Sequence, residues 1–427
     1  MLRTRNGGIV RTGRTWRLHV EVARGRRIIG SGPEGLSEVR DVSLGGVRRR
    51  VSTPAAQDYL AALDSVIEST IAPRATDVDR SGAFPRSNLE ALAKERLLGL
   101  VSAKDAGGGG HGLAAATQVI ERLAGACGST AMVLLMHYSA TPVIEAYGNA
   151  EVRGAIARDE HLTTLAFSEA GSRSHFWAPL STAADGGGQV RLDAQKSWVT
   201  SAGEADSYVW SSRPLSVEGP MTLWLVPSRS AGLTVRGAFD GLGLRGNASS
   251  PVTAEGVQVG HDTMLGADGA GLDIALQLVL PHFLVLNAAF SLGLMEALVA
   301  KAAEHLTRTR LEHLGQTLAQ QQPHRARFAQ LRIRTDEVRA FLRDTLAALD
   351  TGREDATLRV LEIKAVAGEA ASGVADGVMR LCGGSAFRKE FGVERLFRDA
   401  LAARVMAPTT EALHDFVGRA TLGLPLL

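Results

Sequence analysis

Two short segments of the chain carry residue types that suit a flat ligand with a phosphate. The first, AFSEAGSRSHF, includes Ser168, Gly171 and Ser174, so hydroxyls and an unhindered backbone share one turn, as a phosphate or the polar edge of a ring requires. The second ends in SWVT, where Trp198 and Thr200 stand two residues apart. On a strand these side chains face the same way, and an indole beside a hydroxyl suits stacking plus one hydrogen bond to a heteroaromatic ring. The alternative is that Trp198 packs in the core of a sheet.

Together, the two segments resemble the flavin-binding middle domain of the acyl-CoA dehydrogenase family. In that family a Thr-Glu-Pro-Gly-x-Gly-Ser-Asp turn precedes a Trp-Ile-Thr strand, and here SEAGSRSH at 168–175 and WVT at 198–200 stand in their places. Further segments resemble the family in the order that it requires, so that the resemblance extends over nearly the whole chain from about Pro54. They are GLVSAKDAGGGGHG at 99–112, the stretch 121–149, AFDGLGLRGNASS at 238–250 and LCGGSAFRKEFGVERLFRDA at 381–400.

Composition excludes several other classes of protein. The chain has 427 residues, a formal net charge of +2 and 22% charged residues, which gives no field strong enough to favour a nucleic acid as partner. It has two cysteines, Cys127 and Cys382, and no spacing typical of a metal site or a disulfide framework. No uninterrupted apolar run of membrane-spanning length is evident. We therefore expect a cytoplasmic protein without a metal and without a membrane partner.

Periodicity divides the chain into an extension and three domains. Residues 1–53, rich in Arg and Gly, are predicted to be a loosely ordered extension, with a transit peptide as the alternative. A helical pattern at 54–160, short β-branched segments at 161–268 and a return of the helical period at 269–427 follow. The glycine run 107–110 is predicted to be a turn. The fold class is α+β and mainly α: an N-terminal helical domain, a barrel-like, flavin-binding β domain and a C-terminal four-helix bundle.

The resemblance also implies where the catalytic base would stand. In the family a glutamate abstracts the α proton of an acyl thioester while the flavin takes a hydride from the β carbon. Ala407 occupies the commoner position of that glutamate, and either His282 or Phe283 occupies the other, depending on the alignment. The chain is therefore identified as a divergent member without the usual base. His282 and Glu411 are the candidate bases.

A second set of family positions implies how the cofactor is held. FAD, with FMN as the weaker alternative, would contact the motif residues, an Arg-x-Thr-Phe segment of which Arg308 remains, and Arg380 in place of a glutamine. The predicted cofactor-binding residues are Ser168, Gly171, Ser174, Trp198, Thr200, Arg308, Arg380, Gly383, Gly384 and Thr409. Because the Arg-x-Thr-Phe segment grips the FAD of a neighbouring subunit, a homodimer or homotetramer is expected.

The predicted function is FAD-dependent α–β dehydrogenation of an acyl thioester carried by coenzyme A or acyl carrier protein. The acyl chain and the electron acceptor are not predicted. One alternative is a flavin-dependent monooxygenase on the same fold, in which histidines near the flavin, His137 and His175, matter more than a carboxylate. The other is a catalytically silent relative that binds ligand.

Overall fold

The computed structural model describes residues 9–12, 15–18, 58–172 and 175–426, and it divides the chain into two units, 1–53 and 54–427. In the first unit, strands β1 (Ile9–Thr12) and β2 (Thr15–Leu18) pair as an antiparallel hairpin. Most of the predicted extension lies outside the described residues, so its loose order stays a prediction.

The second unit opens with six helices. They are α1 (Asp58–Val66), α2 (Ala72–Ser81), α3 (Arg86–Lys94), α4 (Leu113–Ala126), α5 (Gly128–Tyr147) and α6 (Ala150–Ala157). A π-helical turn, Ile67–Ile71, joins α1 to α2, so residues 58–81 form one continuous helical stretch within the helical pattern predicted for 54–160. The predicted turn at 107–110 is present, and Gly107 and Gly110 have the positive φ angles that favour glycine.

Residues 113–147 form two helices rather than one continuous helix. Cys127 is extended (φ −147°, ψ 105°) and separates α4 from α5. A Cβ added at Gly128 would lie 2.6 Å from Asp399 Oδ2, which is too close. Glycine therefore allows the first residue of α5 to pack against the C-terminal helix Val393–Ala400. Helix α5 is buried on nearly all sides, and only its last turn emerges.

The middle domain contains two sheets. One has the order β3-β6-β7, with β3 (Thr163–Ala166) parallel to β6 (Ser207–Ser212) and β7 (Thr222–Pro227) antiparallel to it. The other has the antiparallel order β4-β5-β9-β8. Its strands are β4 (Thr182–Asp185), β5 (Val190–Val199), β8 (Leu233–Val235) and β9 (Ser250–Val259). The predicted β domain is thus present, whereas its barrel-like closure is not confirmed among the described strands.

The rest of the chain is helical, apart from the two-residue strands β10 (Arg310–Leu311) and β11 (Gln316–Thr317). The helices are α7 (Gly271–Ile274), α8 (Leu280–Arg308), α9 (Gln322–Thr351), α10 (Ala356–Cys382), α11 (Val393–Ala400), α12 (Ala402–Val405) and α13 (Thr410–Thr421). A π-helical turn, Ala275–Val279, joins α7 to α8. Helix α8 packs against α4, α9 and α10, and thereby joins the two helical domains.

One stretch of the described residues, Gly271–Arg308, is long and apolar enough to cross a membrane by length and composition alone. However, 83% of its most apolar window is buried inside the protein. A core helix shows the same character, so this stretch is weak evidence for a membrane span.

Candidate active site

A cavity of about 1410 Å³ lies where the middle domain meets the C-terminal helices. One wall comes from the turn after β3 and the end of β5, and a second from the loop between β8 and β9. The rest of the lining comes mainly from the π-helical turn with the start of α8, and from the segment around α12. Two lining residues stand where the resemblance places the catalytic glutamate: Ala407 at the commoner position and Phe283 as one of the two alternatives for the other.

Trp198 and Thr200 both line this cavity, but not for the reason that strand alternation suggested. The pairing of β5 with β9 shifts register between Lys196 and Val199, and Trp198 has a φ of +56°. Its indole is 72% exposed, whereas Thr200 is buried and its Oγ1 lies 3.0 Å from Ser249 Oγ. The expectation of one strand face is therefore wrong, because a bulge re-aims the indole. Trp198 is not a core residue of the sheet.

The turn that carries Ser168 and Gly171 is held by a buried ion pair. Lys196 Nζ donates to Glu169 Oε1 at 2.5 Å and to Ser211 O at 2.7 Å, and the Glu169 carboxylate also accepts from the Ser181 N–H at 3.1 Å. Burial lowers the pKa of Lys196 to about 8, against the opposing effect of Glu169. Burial alone would raise the pKa of Glu169, but Lys196 and Ser181 hold it below its ordinary value.

Sequence reasoning took Glu169 only as part of a motif and missed this pair. A signal was available, because the chain has only six lysines among its 47 basic residues. Two of the six, Lys196 and Lys364, are fully buried. In a chain that uses arginine for most of its basic residues, a lysine indicates a position that suits a compact ammonium better than a planar guanidinium.

Titratable groups in the lining are few. Among the described lining residues they are Glu169, Asp240 and Arg398. Arg398 pairs with Asp79 at 2.6 Å and with Glu394 at 2.7 Å. Glu169 is buried in its ion pair with Lys196. Asp240 is therefore the lining carboxylate that faces solvent: its side chain is 87% exposed and lies 3.1 Å from Arg245.

The three predicted catalytic residues lie outside the cavity lining. His282 is half-buried, its Nδ1 is 2.8 Å from Leu278 O in the preceding π-helical turn, and burial lowers its pKa. Its neighbour Phe283 reaches the cavity instead, because consecutive helical residues point about 100° apart. Glu411 is exposed in the first turn of α13.

His137 is a structural residue in this geometry. It is fully buried, and its Nδ1 accepts from the Thr163 N–H at 3.1 Å while Nε2 lies 3.2 Å from Leu98 O. Burial, with a further contribution from His161, lowers the pKa of His137 to about 4. His175, the other histidine considered, has its Nδ1 3.0 Å from Ser172 O and packs edge-on against Trp177.

The predicted cofactor residues fall into two groups. Four of them line the cavity, namely Ser168, Gly171, Trp198 and Thr200. Ser174 lies outside the described residues. The others are not lining residues: Arg308 at the end of α8, Arg380 near the end of α10, Gly383 and Gly384 just after it, and Thr409 as the N-cap of α13. Of these, Thr409 directly follows the lining residue Pro408.

The lining fits a flavin ring. Trp198 has a positive φ angle and an exposed side chain, which is unusual for a large apolar residue. Its indole therefore offers a flat face for stacking. The hydroxyls of Ser168, Thr200 and Ser249 line the same cavity and could meet a polar ring edge. At Gly243 a Cβ would lie 2.6 Å from Arg398 O, so glycine lets the loop between β8 and β9 close against α11.

Comparison with known proteins identifies the family. Models of the N-terminal, middle and C-terminal domains of acyl-CoA dehydrogenase match residues 53–158, 164–257 and 269–422. The chain therefore belongs to the acyl-CoA dehydrogenase family. This confirms the predicted family and fold class, and makes the protein a flavoprotein oxidoreductase of the class that acts on CH–CH groups.

Individual relatives are distant but extend over most of the chain. Cyclohex-1-ene-1-carbonyl-CoA dehydrogenase of Geobacter metallireducens is 27% identical over 82% of this chain and 94% of its own. Mitochondrial short-chain specific acyl-CoA dehydrogenase of Bos taurus is 26% identical over 81% of this chain and 84% of its own. The structure of butyryl-CoA dehydrogenase from Megasphaera elsdenii superposes with a TM-score of 0.81 at 21% identity, over 87% of this chain and 99% of that one.

Proposed function

We propose that this protein is an FAD-dependent oxidoreductase that dehydrogenates the α–β bond of an acyl thioester. The observation that carries the proposal is a single cavity lined by Trp198 and Thr200 of the middle domain and by Phe283 and Ala407 of the C-terminal helical domain. A flavin bound beside Trp198 would accept a hydride from a molecule bound in the rest of that cavity. The acyl-CoA substrates named for the two curated relatives favour the same chemistry.

The lining residues would have different roles in binding the cofactor and the substrate. Trp198 would stack on the flavin, and Ser168 and Thr200 would bond its polar edge. Val279, Leu280 and Phe283 give the substrate an apolar wall that excludes water. FAD, when bound, supplies the hydride acceptor.

The α proton needs an acceptor other than Ala407 or Phe283, since neither side chain can take a proton. Asp240, a lining carboxylate that faces solvent and pairs with Arg245, is one candidate. His282, the alternative residue at the second family position and one helical residue from the lining, is the other.

The proposal is tested by mixing the purified protein anaerobically with a panel of acyl-CoA thioesters. The measurement is the loss of flavin absorbance that accompanies reduction. We expect reduction by at least one thioester. Asp240→Asn and His282→Ala then separate the two candidate bases, since loss of a base lowers the rate about a hundredfold to ten-thousandfold while flavin content stays normal. A parent protein that no thioester reduces would contradict the proposal.

A flavin-dependent monooxygenase is the second candidate function. It is favoured by one observation: at the positions where the resemblance places the base, the residues that line the cavity are Ala407 and Phe283, and the alternative residue, His282, lies outside the lining. The discriminating result is hydroxylation of an added substrate by the protein with reduced flavin and oxygen, together with failure of every thioester to reduce the oxidised protein.

The remaining proposals concern cofactor, assembly and location. We propose FAD rather than FMN, a homodimer or homotetramer in which Arg308 and Arg380 reach a neighbouring subunit's cofactor, and a cytoplasmic location. Chromatography of the cofactor released on denaturation distinguishes FAD from FMN. Light scattering gives the subunit number, and Arg380→Ala should lower FAD affinity if that residue meets the pyrophosphate.

A further inference from the structure

Asn287 on α8 carries a buried amide whose hydrogen-bonding capacity is mostly unused. The residue is 0% exposed, and its Oδ1 has no hydrogen-bond partner among the residues that the structure describes. Its Nδ2 lies 3.7 Å from the thioether sulfur of Met406, which is a weak acceptor. A primary amide offers two N–H donors and an oxygen that accepts twice. Since buried polar groups in folded proteins are nearly always paired, this amide requires an explanation.

The amide lies next to the inner end of the cavity. Phe283, which stands one helical turn before Asn287 on the same face of α8, lines the cavity, and so does Met406. Burial increases along this face, because Leu280 is half-buried, Phe283 is 7% exposed and Asn287 is 0% exposed. Asn287 therefore lies about 6 Å further along the helix axis than Phe283, on the closed side of the cavity.

Two neighbours suit a place where a ligand group enters. The Met406 side chain, which contacts the amide and lines the cavity, is unbranched and flexible, so it can shift to admit another atom. Ser291, one turn beyond Asn287, is 1% exposed, and among the described residues its Oγ also has no partner. One face of an otherwise apolar part of α8 thus presents two successive polar groups that the fold itself does not use.

We propose that Asn287 is a specificity-determining residue whose amide binds a hydroxyl group on the distal part of the acyl chain. This rests on the proposed function, in which the reacting carbons lie near Phe283 and the rest of the chain extends toward Asn287. A hydroxyl both donates and accepts, so it can donate to Oδ1 and accept from Nδ2. The substrate class is accordingly a hydroxylated acyl thioester. An unsubstituted chain would leave the amide unpaired, which is how a polar site rejects an apolar analogue.

Binding to the oxidised flavoprotein tests the proposal. Calorimetry compares straight-chain acyl-CoA thioesters with their ω-hydroxy counterparts of equal length, over a series of lengths. For at least one length we expect the parent to bind the hydroxy compound about tenfold or more tightly, and Asn287→Leu to bind the two about equally. The matched control is Asn88→Leu, which replaces an equally buried asparagine on α3 whose amide donates to Thr130 at 2.9 Å and should keep the preference. A parent that prefers the unsubstituted chain at every length would overturn the proposal.

Urea unfolding of the apoproteins separates a ligand contact from a structural role. Asn287→Leu removes an unpaired amide and should be as stable as the parent or more stable, whereas Asn88→Leu breaks a hydrogen bond and should be less stable. If leucine overpacks the site, the smaller Asn287→Val takes its place in both measurements. Marked instability of both Asn287 variants would mean that the amide is bonded inside the fold, for example to a buried water, and would refute the proposal. If the parent binds no thioester, the proposed function fails, and the unfolding comparison still decides whether the amide serves the fold or a ligand.

Discussion

Trp198 shows what a single bulge does to a side chain. Its indole leaves the sheet at positive φ and faces a cavity, so it contributes little to the packing of the folded state. A residue whose geometry is strained and whose apolar surface is exposed is better explained by a ligand than by stability. This distinction between ligand contact and core packing can be measured.

We expect Trp198→Ala to lower flavin affinity about fivefold, which corresponds to roughly 1 kcal/mol of lost stacking, and to change the free energy of unfolding of the apoprotein by less than about 1 kcal/mol. The matched control is Trp224→Ala, which truncates a fully buried tryptophan and should cost about 3–5 kcal/mol. Flavin titration and urea unfolding of the apo forms provide both numbers. A large loss of stability in Trp198→Ala would show that the indole is a packing residue.

Substitution of Ala407 by glutamate is predicted to increase the rate of flavin reduction. Because Ala407 and Trp198 line the same cavity, Ala407→Glu would add a carboxylate to the lining. If a missing base limits the reaction, the rate of anaerobic flavin reduction by an acyl-CoA should rise about a hundredfold or more. Ala407→Gln has the same size without the basicity and should give no increase. Equal rates in the two variants would mean that proton abstraction is not limiting.

At the scale of elements, polar contacts buried between helices and strands fix how the domains meet. His137 on α5 accepts from the first residue of β3 and lies against Leu98 O, so one imidazole connects the N-terminal helices to the middle domain. The ring is fully buried and must be neutral to accept that hydrogen bond. Its protonation is therefore coupled to folding.

This coupling predicts a pH dependence of stability. The pKa of His137 is about 4 in the folded protein and about 6.5 when unfolded, so between these values the unfolded chain binds a proton that the folded protein does not. As pH falls from about 6.5 to 4, the group should cost roughly 3 kcal/mol of stability, and below pH 4 no more. Urea unfolding of the parent and of His137→Gln at several pH values isolates this contribution. The stability advantage of the parent should shrink as pH falls, and a constant difference would contradict the assignment.

At the scale of the whole molecule, α8 joins the two helical domains through close backbone contact. At Gly293, in the middle of α8, a Cβ would lie 2.0 Å from Glu121 O on α4. Glycine at this point is therefore a condition for the two helices to pack. The apolar character of α8 likewise belongs to its central place in the core rather than to any exposed surface.

We expect Gly293→Ala to destabilise the protein by about 1–3 kcal/mol, because the added methyl must force the two helices apart. Gly373→Ala is the control, since Gly373 lies within α10 with no atom within 4 Å of a built Cβ. That change should be neutral or stabilising by up to about 1 kcal/mol through helix propensity. Thermal unfolding of both variants measures the contrast. A stable Gly293→Ala would mean that α4 and α8 can separate without cost.

Residue patterns alone were enough to predict the family, the order of the domains and two residues that line the cavity, Trp198 and Thr200, because these depend on local periodicity and on motifs read in order. The sequence also indicated that the usual glutamate is missing, since Ala407 is a matter of residue type. Tertiary structure decided which side chains reach the cavity. A bulge turned the Trp198 side chain, and one helical position separated Phe283 from His282. Packing also brought the Lys364 ammonium to the backbone carbonyls of Ala403, Met406 and Pro408, about forty residues further along the chain. Such contacts join distant parts of the chain, and their geometry exists only once the elements have packed together.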